Sequence, residues 1–385
     1  MNWPHHSEEE IQAAIEVLRS GKTNYWTGSQ CKAFEKEFSQ HCQTEYAISC
    51  MNGTVALEMA LKALGVGEGD EVITTPRSFI ASVSCAPCVG ATPIFADVCP
   101  TSGNLTAETI RPAITDRSKA IILVHHAGWP CEMDGIMALA KEHGIRVVED
   151  CAQAHGATYK GKPVGSIGDI GAYSFCQDKI ISTGGEGGML VTNNQTYWKA
   201  AWAWKDHGKD YDTVFNTQHP PGFRWLHGSI GTNARMPEIQ AAIGRVQLSN
   251  LEDTHQKRKQ IASLWKEAAE TAPALTAPWP PSHCRGAFYR FHGFVRPEKL
   301  AKGWSRDRIL DEANRAGIRC MQGSCSEIYL EKAISANGWQ PEAPLENAKK
   351  LGETSITFFT HHTQSLEDVQ KAAAHFADIA KAASD

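Results

Sequence analysis

Between residues 71 and 192 the chain alternates two kinds of segment, and this alternation constrains the fold more than any other feature. EVITT, TPIFADV, KAIILVH, RVVED, IGAYSF and GMLVTN are short runs rich in β-branched and aromatic residues, with helical stretches such as EMDGIMALAKEHG between them. Strands linked through helices pair in parallel and carry helices on both faces of the sheet. The expected fold is therefore α/β, with a mostly parallel sheet between helices. Such strands are buried on both sides and read as near-continuous apolar runs rather than as strict alternation.

The flanks read differently. Helical patterns dominate residues 7–64: SEEEIQAAIEVLRSG opens on a serine cap and an acidic first turn, and NGTVALEMALKALG is entered through Asn52-Gly53-Thr54 and closed by Gly65. Residues 208–233, which include NTQHPPGFRWLHGSIGTN, look irregular, and a loop of that length is usually functional or interfacial. MPEIQAAIGRVQLSNLEDTHQKRKQIASLWKEAAE reads as one long amphipathic helical stretch. Beyond about residue 275, FYRFHGFV and SITFF read as strands and EDVQKAAAHFADIAKAA as a closing helix. A chain of 385 residues exceeds the size of one ordinary core. The expected division is a large domain over residues 1–255, including the N-terminal helical segment, and a smaller α+β domain over 256–385.

Composition removes several function classes. The net charge is -5 with acidic and basic residues interspersed, which argues against a nucleic-acid or membrane-surface partner. No apolar run reaches membrane-spanning length, and MNWPHHSEEE lacks the basic and apolar regions of a signal peptide, so a cytoplasmic location is expected. The twelve cysteines then read as reduced, mostly buried thiols. Cys85 and Cys88 make the one CxxC pair; with no second pair and no histidines at zinc-finger spacing, no metal site is expected.

In open α/β sheets ligands bind at the carboxyl ends of the strands. Asp150 closes RVVED, Ser174 closes IGAYSF, and Phe79 lies just past EVITT. Each candidate motif has two readings. Asn52-Gly53-Thr54 is either a capped helix start or a phosphate site made of exposed N–H groups. Asp150 either caps a turn or pairs with a protonated ring nitrogen, with Gln153 three residues on as a donor to the same ring. Lys179, just before TGGEGG, is either a solvated lysine or a nucleophile held in place while glycines let the backbone approach a flat ligand. Taken together, a phosphate cradle, an acid and a hydroxyl at strand ends, and a lysine five residues past that hydroxyl fit pyridoxal 5'-phosphate. The lysine would form the Schiff base, and Phe79 would stack on the ring.

Over nearly its whole length the chain resembles the DegT/DnrJ/StrS family of sugar-nucleotide aminotransferases, within the fold-type I, aspartate aminotransferase-like enzymes. The resemblance runs through SGKTNYWTG, NGTVALEMALKALGVGEGDEVITTP, VHHAGWPCEMDGI, VVEDCAQAHGA, VGSIGDIGAYSF, TGGEGGMLVTNN, GTNARMPEIQAAIG and GSCSEIYLE. It implies roles residue by residue. Lys179 would join the cofactor and shuttle protons, Asp150 would face the pyridine nitrogen, and Gln153 would contact the phenolic oxygen. Phe79 would stack, and Gly53, Thr54 and Ser174 would hold the phosphate. Asn233 would reach the phosphate of a neighbouring subunit, making a homodimer with shared active sites. The phosphate turn reads NGT where many relatives have SGT.

The resemblance also implies L-glutamate as amino donor and the keto-sugar of a nucleotide diphosphate as acceptor. The alternatives are a dehydratase or ring aromatase using the same cofactor, and a PLP-binding regulator without turnover. Lysine at position 179, where dehydratase relatives carry histidine, disfavours the dehydratase branch. Trp26, Glu186, His227 and Arg235 are candidate substrate contacts, as are Trp225 and Arg224. For each the competing role is structural: a packed tryptophan, a loop histidine or an interface salt bridge.

Overall fold

The apolar runs become strands, each with both faces covered. The description rests on a computed structural model, and the structure describes residues 3–218, 222 and 224–385. Strands β1 (Tyr46–Cys50), β2 (Glu71–Thr74), β3 (Thr92–Phe95), β4 (Ser118–Val124) and β5 (Arg146–Asp150) are followed by the short β6 (Thr158–Tyr159) and β7 (Lys162–Pro163), then β8 (Ile170–Ser174) and β9 (Gly188–Thr192). Seven of them form one sheet in the order β1-β9-β8-β5-β4-β2-β3. Pairing is parallel from β3 through β8, and β9 alone runs against its neighbours.

Alternate residues of each strand enter separate cores. Ile48, Val72, Ile122, Val148 and Leu190 pack with the helices Gly53–Ala63, Ala81–Cys88 and Gln195–Lys205. Ala47, Met189 and Val191 face the opposite layer with the helix Gln30–Cys42, and Ile73, Leu123 and Val147 face it with Met133–His143. This two-sided burial is why the runs carry no polar face.

Strand β1 was not among the strands expected from sequence. YAISC lies inside a region of helical signals and becomes a strand by pairing with β9 more than a hundred residues later. The stretch expected as one long helix is two, Glu238–Ser249 and Leu251–Glu270, broken at Asn250. The second helix runs across residue 255. Its start, Leu251, packs in a core of the seven-stranded sheet, whereas Ile261, Trp265 and Ala269 belong to a core of their own with Phe358 and Phe376.

That further core lies under a four-stranded antiparallel sheet, β10-β12-β14-β13, built from β10 (Leu275–Thr276), β12 (Arg290–Val295), β13 (Cys320–Gln322) and β14 (Ser355–Phe359). Helix Leu366–Ala382 closes it. The short β11 (Cys284–Arg285) pairs with β6 and links the two parts. Of the irregular loop, His219, Pro220, Pro221 and Phe223 lie outside the described residues. No described helix is long and apolar enough to cross a membrane.

Candidate active site

Three adjacent strand ends open onto one cavity. Val124, Asp150 and Ser174, the last residues of β4, β5 and β8, line a space of about 740 Å³, which Tyr289, Arg290, Arg319 and Phe359 also line. Gly53, Thr54, Phe79, Gln153, Lys179 and Glu186 line the same cavity. The residues expected to hold a cofactor within one chain are therefore brought together; Asn233, expected at the phosphate of a neighbouring subunit, does not line this cavity.

Each is held by its local structure. Asn52 caps helix Gly53–Ala63, its side chain accepting from the Val55 N–H at 2.9 Å. Among the described residues the N–H groups of Gly53 and Thr54 meet no acceptor, so two helix-start donors remain available at the cavity. A Cβ on Gly53 would lie 2.5 Å from Ser174 Cβ, so the helix start sits directly against the end of β8. On the far side of this turn, a Cβ on Gly188 would lie 2.4 Å from the Asn52 carbonyl oxygen. Part of the GGEGG glycine density thus serves close packing behind the cradle. Gly184 and Gly185 supply the positive φ of the turn itself.

Asp150 is 4 % exposed. Its Oδ2 accepts from Ser82 Oγ at 2.7 Å and its Oδ1 from the Ala152 N–H at 3.1 Å. Burial pushes its pKa up, against the opposing pull of Ser82, Ala152 and Lys179. The neighbouring Glu149 is fully engaged: it meets His125 Nε2 at 3.0 Å and accepts N–H bonds from Gly165, Ile167 and Gly168, tying the end of β5 to the turn before β8. Gln153 Oε1 accepts from the Ala127 N–H at 2.6 Å, which leaves Nε2 as the donor facing the cavity. Phe79 is 65 % exposed, an aromatic ring standing free at the cavity.

Lys179 Nζ lies 4.0 Å from Asp178 Oδ1 and 5.0 Å from the centroid of the Tyr289 ring. Burial disfavours its charge, yet Tyr289, Asp178 and Asp150 outweigh that and hold its pKa above the usual lysine value. Tyr289 in turn donates its hydroxyl to Asp178 Oδ2. On the other side the Trp3 indole N–H donates to the Lys179 carbonyl at 3.0 Å, so the first residues of the chain fasten the lysine's backbone.

Three candidate substrate contacts, Trp26, Arg235 and His227, and the cross-subunit candidate Asn233 do not line the cavity. Trp26 Nε1 and Arg235 Nη1 both bond Asp206, at 2.8 and 2.7 Å, in an ion cluster with Lys209. His227 bridges to Lys209, and Asn233, exposed, bridges to Asp206. Glu186 does line the cavity, with Cys176 Sγ 3.6 Å from its Oε1. Of the histidines, His155 is buried against Tyr173 and Phe175, and burial lowers its pKa to about 3, making it a neutral core ring. Sequence reasoning missed Trp3, Ser82, Asp178, Tyr289, Arg290 and Arg319. The polar pair Tyr289-Arg290 within FYRFHGFV was the one available signal.

The donor set suits one kind of ligand. Unpartnered helix-start N–H groups beside a hydroxyl fit a phosphate. A buried carboxylate short of a cation fits a protonated ring nitrogen, and an amine between them fits an aldehyde carbon. Fold and site are those of a PLP-dependent enzyme of fold type I. The chain matches the model of the DegT/DnrJ/EryC1/StrS aminotransferase family over residues 4–377 and belongs to that family, with pyridoxal 5'-phosphate as cofactor.

It is 42% identical over 240 residues to the GDP-perosamine synthase of Escherichia coli O157:H7, an alignment spanning 62% of this chain and 63% of that one. It is 31% identical over 349 residues to the dTDP-3-amino-3,4,6-trideoxy-alpha-D-glucose transaminase of Streptomyces venezuelae, covering 90% of this chain and 86% of the relative. An aminotransferase structure from Psychrobacter cryohalolentis superposes with a TM-score of 0.96 at 50% identity, covering 98% of each chain.

Proposed function

We propose that the protein transfers an amino group from L-glutamate to the keto group of a sugar carried on a nucleotide diphosphate, acting in the cytoplasm as a homodimer with shared active sites. The observation that carries the reading is the convergence of Lys179, Asp150, Gln153, Ser174 and the Gly53-Thr54 turn on one cavity. The substrate class is supported by the names of the Escherichia coli and Streptomyces relatives. The dimer is supported by the loop carrying Asn233, where Trp225 is 88% and Ile230 94% exposed, large apolar side chains that a second copy would cover.

PLP, when bound, supplies an aldehyde that captures amines and a ring that takes up electrons. The chain's own residues do the rest. The N–H groups of Gly53 and Thr54, with the Ser174 hydroxyl, hold the phosphate end. Asp150 would place a negative charge opposite the ring nitrogen, Gln153 Nε2 would donate to the phenolic oxygen, and Phe79 would cover one ring face. Lys179 Nζ would hold the cofactor and, once displaced, would take a proton from the amino donor's α-carbon and deliver it to the former aldehyde carbon, the work of a positioned general base and acid.

The test is stoichiometry. With L-glutamate and a nucleotide keto-sugar, one 2-oxoglutarate should appear per amino sugar formed. Sugar conversion without glutamate consumption would replace transamination by dehydration.

A further inference from the structure

The cavity wall beside Tyr289 carries two guanidinium groups that this reading leaves without a role. Phe359 ends β14, paired across the sheet with Arg290 of β12. On the other side Cys320 of β13 pairs with Phe358, which places Arg319 beside Phe359. Cross-strand neighbours share a face, and both arginines stand against the same ring: each guanidinium carbon is 4.5 Å from the Phe359 centroid. The two cannot be further apart than twice that distance.

Among the described residues Arg290 has one long ion pair and Arg319 has none. Arg290 Nη1 donates to its neighbour's carbonyl at 3.2 Å, and its nearest carboxylate oxygen, on Asp178, is 3.9 Å away. Among the described residues Arg319 has no hydrogen bond or ion pair, and it is exposed to the cavity. Stacking on a ring fixes a guanidinium while leaving its N–H edge free for a carboxylate or phosphate. Arg290 also adjoins the lysine, because its carbon is 4.4 Å from the Tyr289 centroid that Lys179 Nζ approaches to 5.0 Å. The row therefore offers an inner cation next to the reacting amine and an outer one beyond Phe359. A ligand that satisfies it carries two anionic groups a few bonds apart.

Two half-reactions use this cavity in turn, and both substrates have that character: a dicarboxylate donor and a nucleotide diphosphate. We infer that the Arg290–Phe359–Arg319 row is one anion site serving both, holding the carboxylates of the donor and then the diphosphate of the acceptor. The inference rests on the proposed function for its substrates, and its test is chosen to be readable without turnover.

Full-length PLP-loaded protein is titrated calorimetrically with glutarate, a dicarboxylate that cannot react, and with inorganic pyrophosphate. Both should bind, and each should displace the other. Arg319→Gln should weaken both by about tenfold or more, the scale of one charge-assisted contact. Arg319→Lys, which keeps the charge but not the paired geometry, should fall between. Because Arg319 is exposed, the melting temperature of these variants should not move. Failure of either anion to bind, absence of competition, or an effect of Arg319→Gln on only one of them overturns the shared site. Bleaching of the visible band by L-glutamate in the same wild-type samples reports separately on whether the protein is a glutamate aminotransferase.

Discussion

Gly53→Ala sets a local rule against a tertiary one. Gly53 opens a helix without positive φ, and there alanine ordinarily stabilises, by about 0.5–1 kcal/mol, because glycine surrenders more backbone freedom. The new methyl group, however, would sit 2.5 Å from Ser174 Cβ, roughly 1 Å inside ordinary contact. Either the helix start or the end of β8 must move, and such overpacking costs about 1–3 kcal/mol. The net expectation is a destabilisation of the cofactor-free protein by about 0–2 kcal/mol.

The larger effect falls on the cofactor. The displaced atoms carry the Gly53 and Thr54 N–H donors and the Ser174 hydroxyl, and a misplacement near 1 Å is worth about a hundredfold where groups must converge. PLP titration of the cofactor-free protein, followed by absorbance, should show a Kd raised by about 10–100-fold. The double variant Gly53→Ala with Ser174→Gly removes the shortest contact, leaving a tight 3.1 Å approach to the Cα of residue 174, and should regain part of the stability but not full affinity, since the hydroxyl is gone. A Gly53→Ala protein that melts higher than wild type and binds PLP equally well would refute the reasoning.

Three further outcomes follow from the same geometry. Ser82→Ala removes a hydrogen bond that favours charged Asp150, so the Asp150 pKa should rise and the acidic limb of kcat against pH should move to higher pH; an unmoved limb would separate Asp150 from the chemistry. Lys179 must lose its proton to capture PLP, and its pKa is held up, so PLP uptake should accelerate as pH rises into the alkaline range. Asp178→Asn withdraws one of the charges responsible and should shift that rise to lower pH, while the wild-type cofactor-free protein should lose stability as pH climbs through the folded-state value. Trp3→Phe keeps the ring but not the N–H donor to the Lys179 carbonyl; it should cost about 0.5–1.5 kcal/mol in a melt and raise the PLP off-rate, whereas unchanged values would make the contact incidental.

How much of this was legible in the sequence varied with how local the cause was. The parallel strands announced themselves because burial on two faces leaves an unbroken apolar run. YAISC did not, since five mixed residues become a strand only once β9 is beside them. Asp150 and Ser174 could be placed at one cavity because strand ends are readable and ligands gather there, and Lys179 because it follows Ser174 by five residues. Ser82 and Tyr289 were not, because each meets its partner across a large sequence separation, 68 residues for Ser82 and Asp150 and 111 for Tyr289 and Asp178. Trp26 and Arg235 have the side chains of substrate contacts, and the structure gives both to Asp206. Residue type alone carries no sign of which anion an arginine will meet.

The most direct test of the central assignment is borohydride reduction of the PLP-loaded protein followed by peptide mapping, with and without prior exposure to L-glutamate. A phosphopyridoxyl group should be found on Lys179 in the untreated sample and be largely absent after glutamate, because the cofactor has by then left the lysine carrying the amino group. Labelling of a different lysine, or labelling of Lys179 that glutamate does not diminish, would contradict the account.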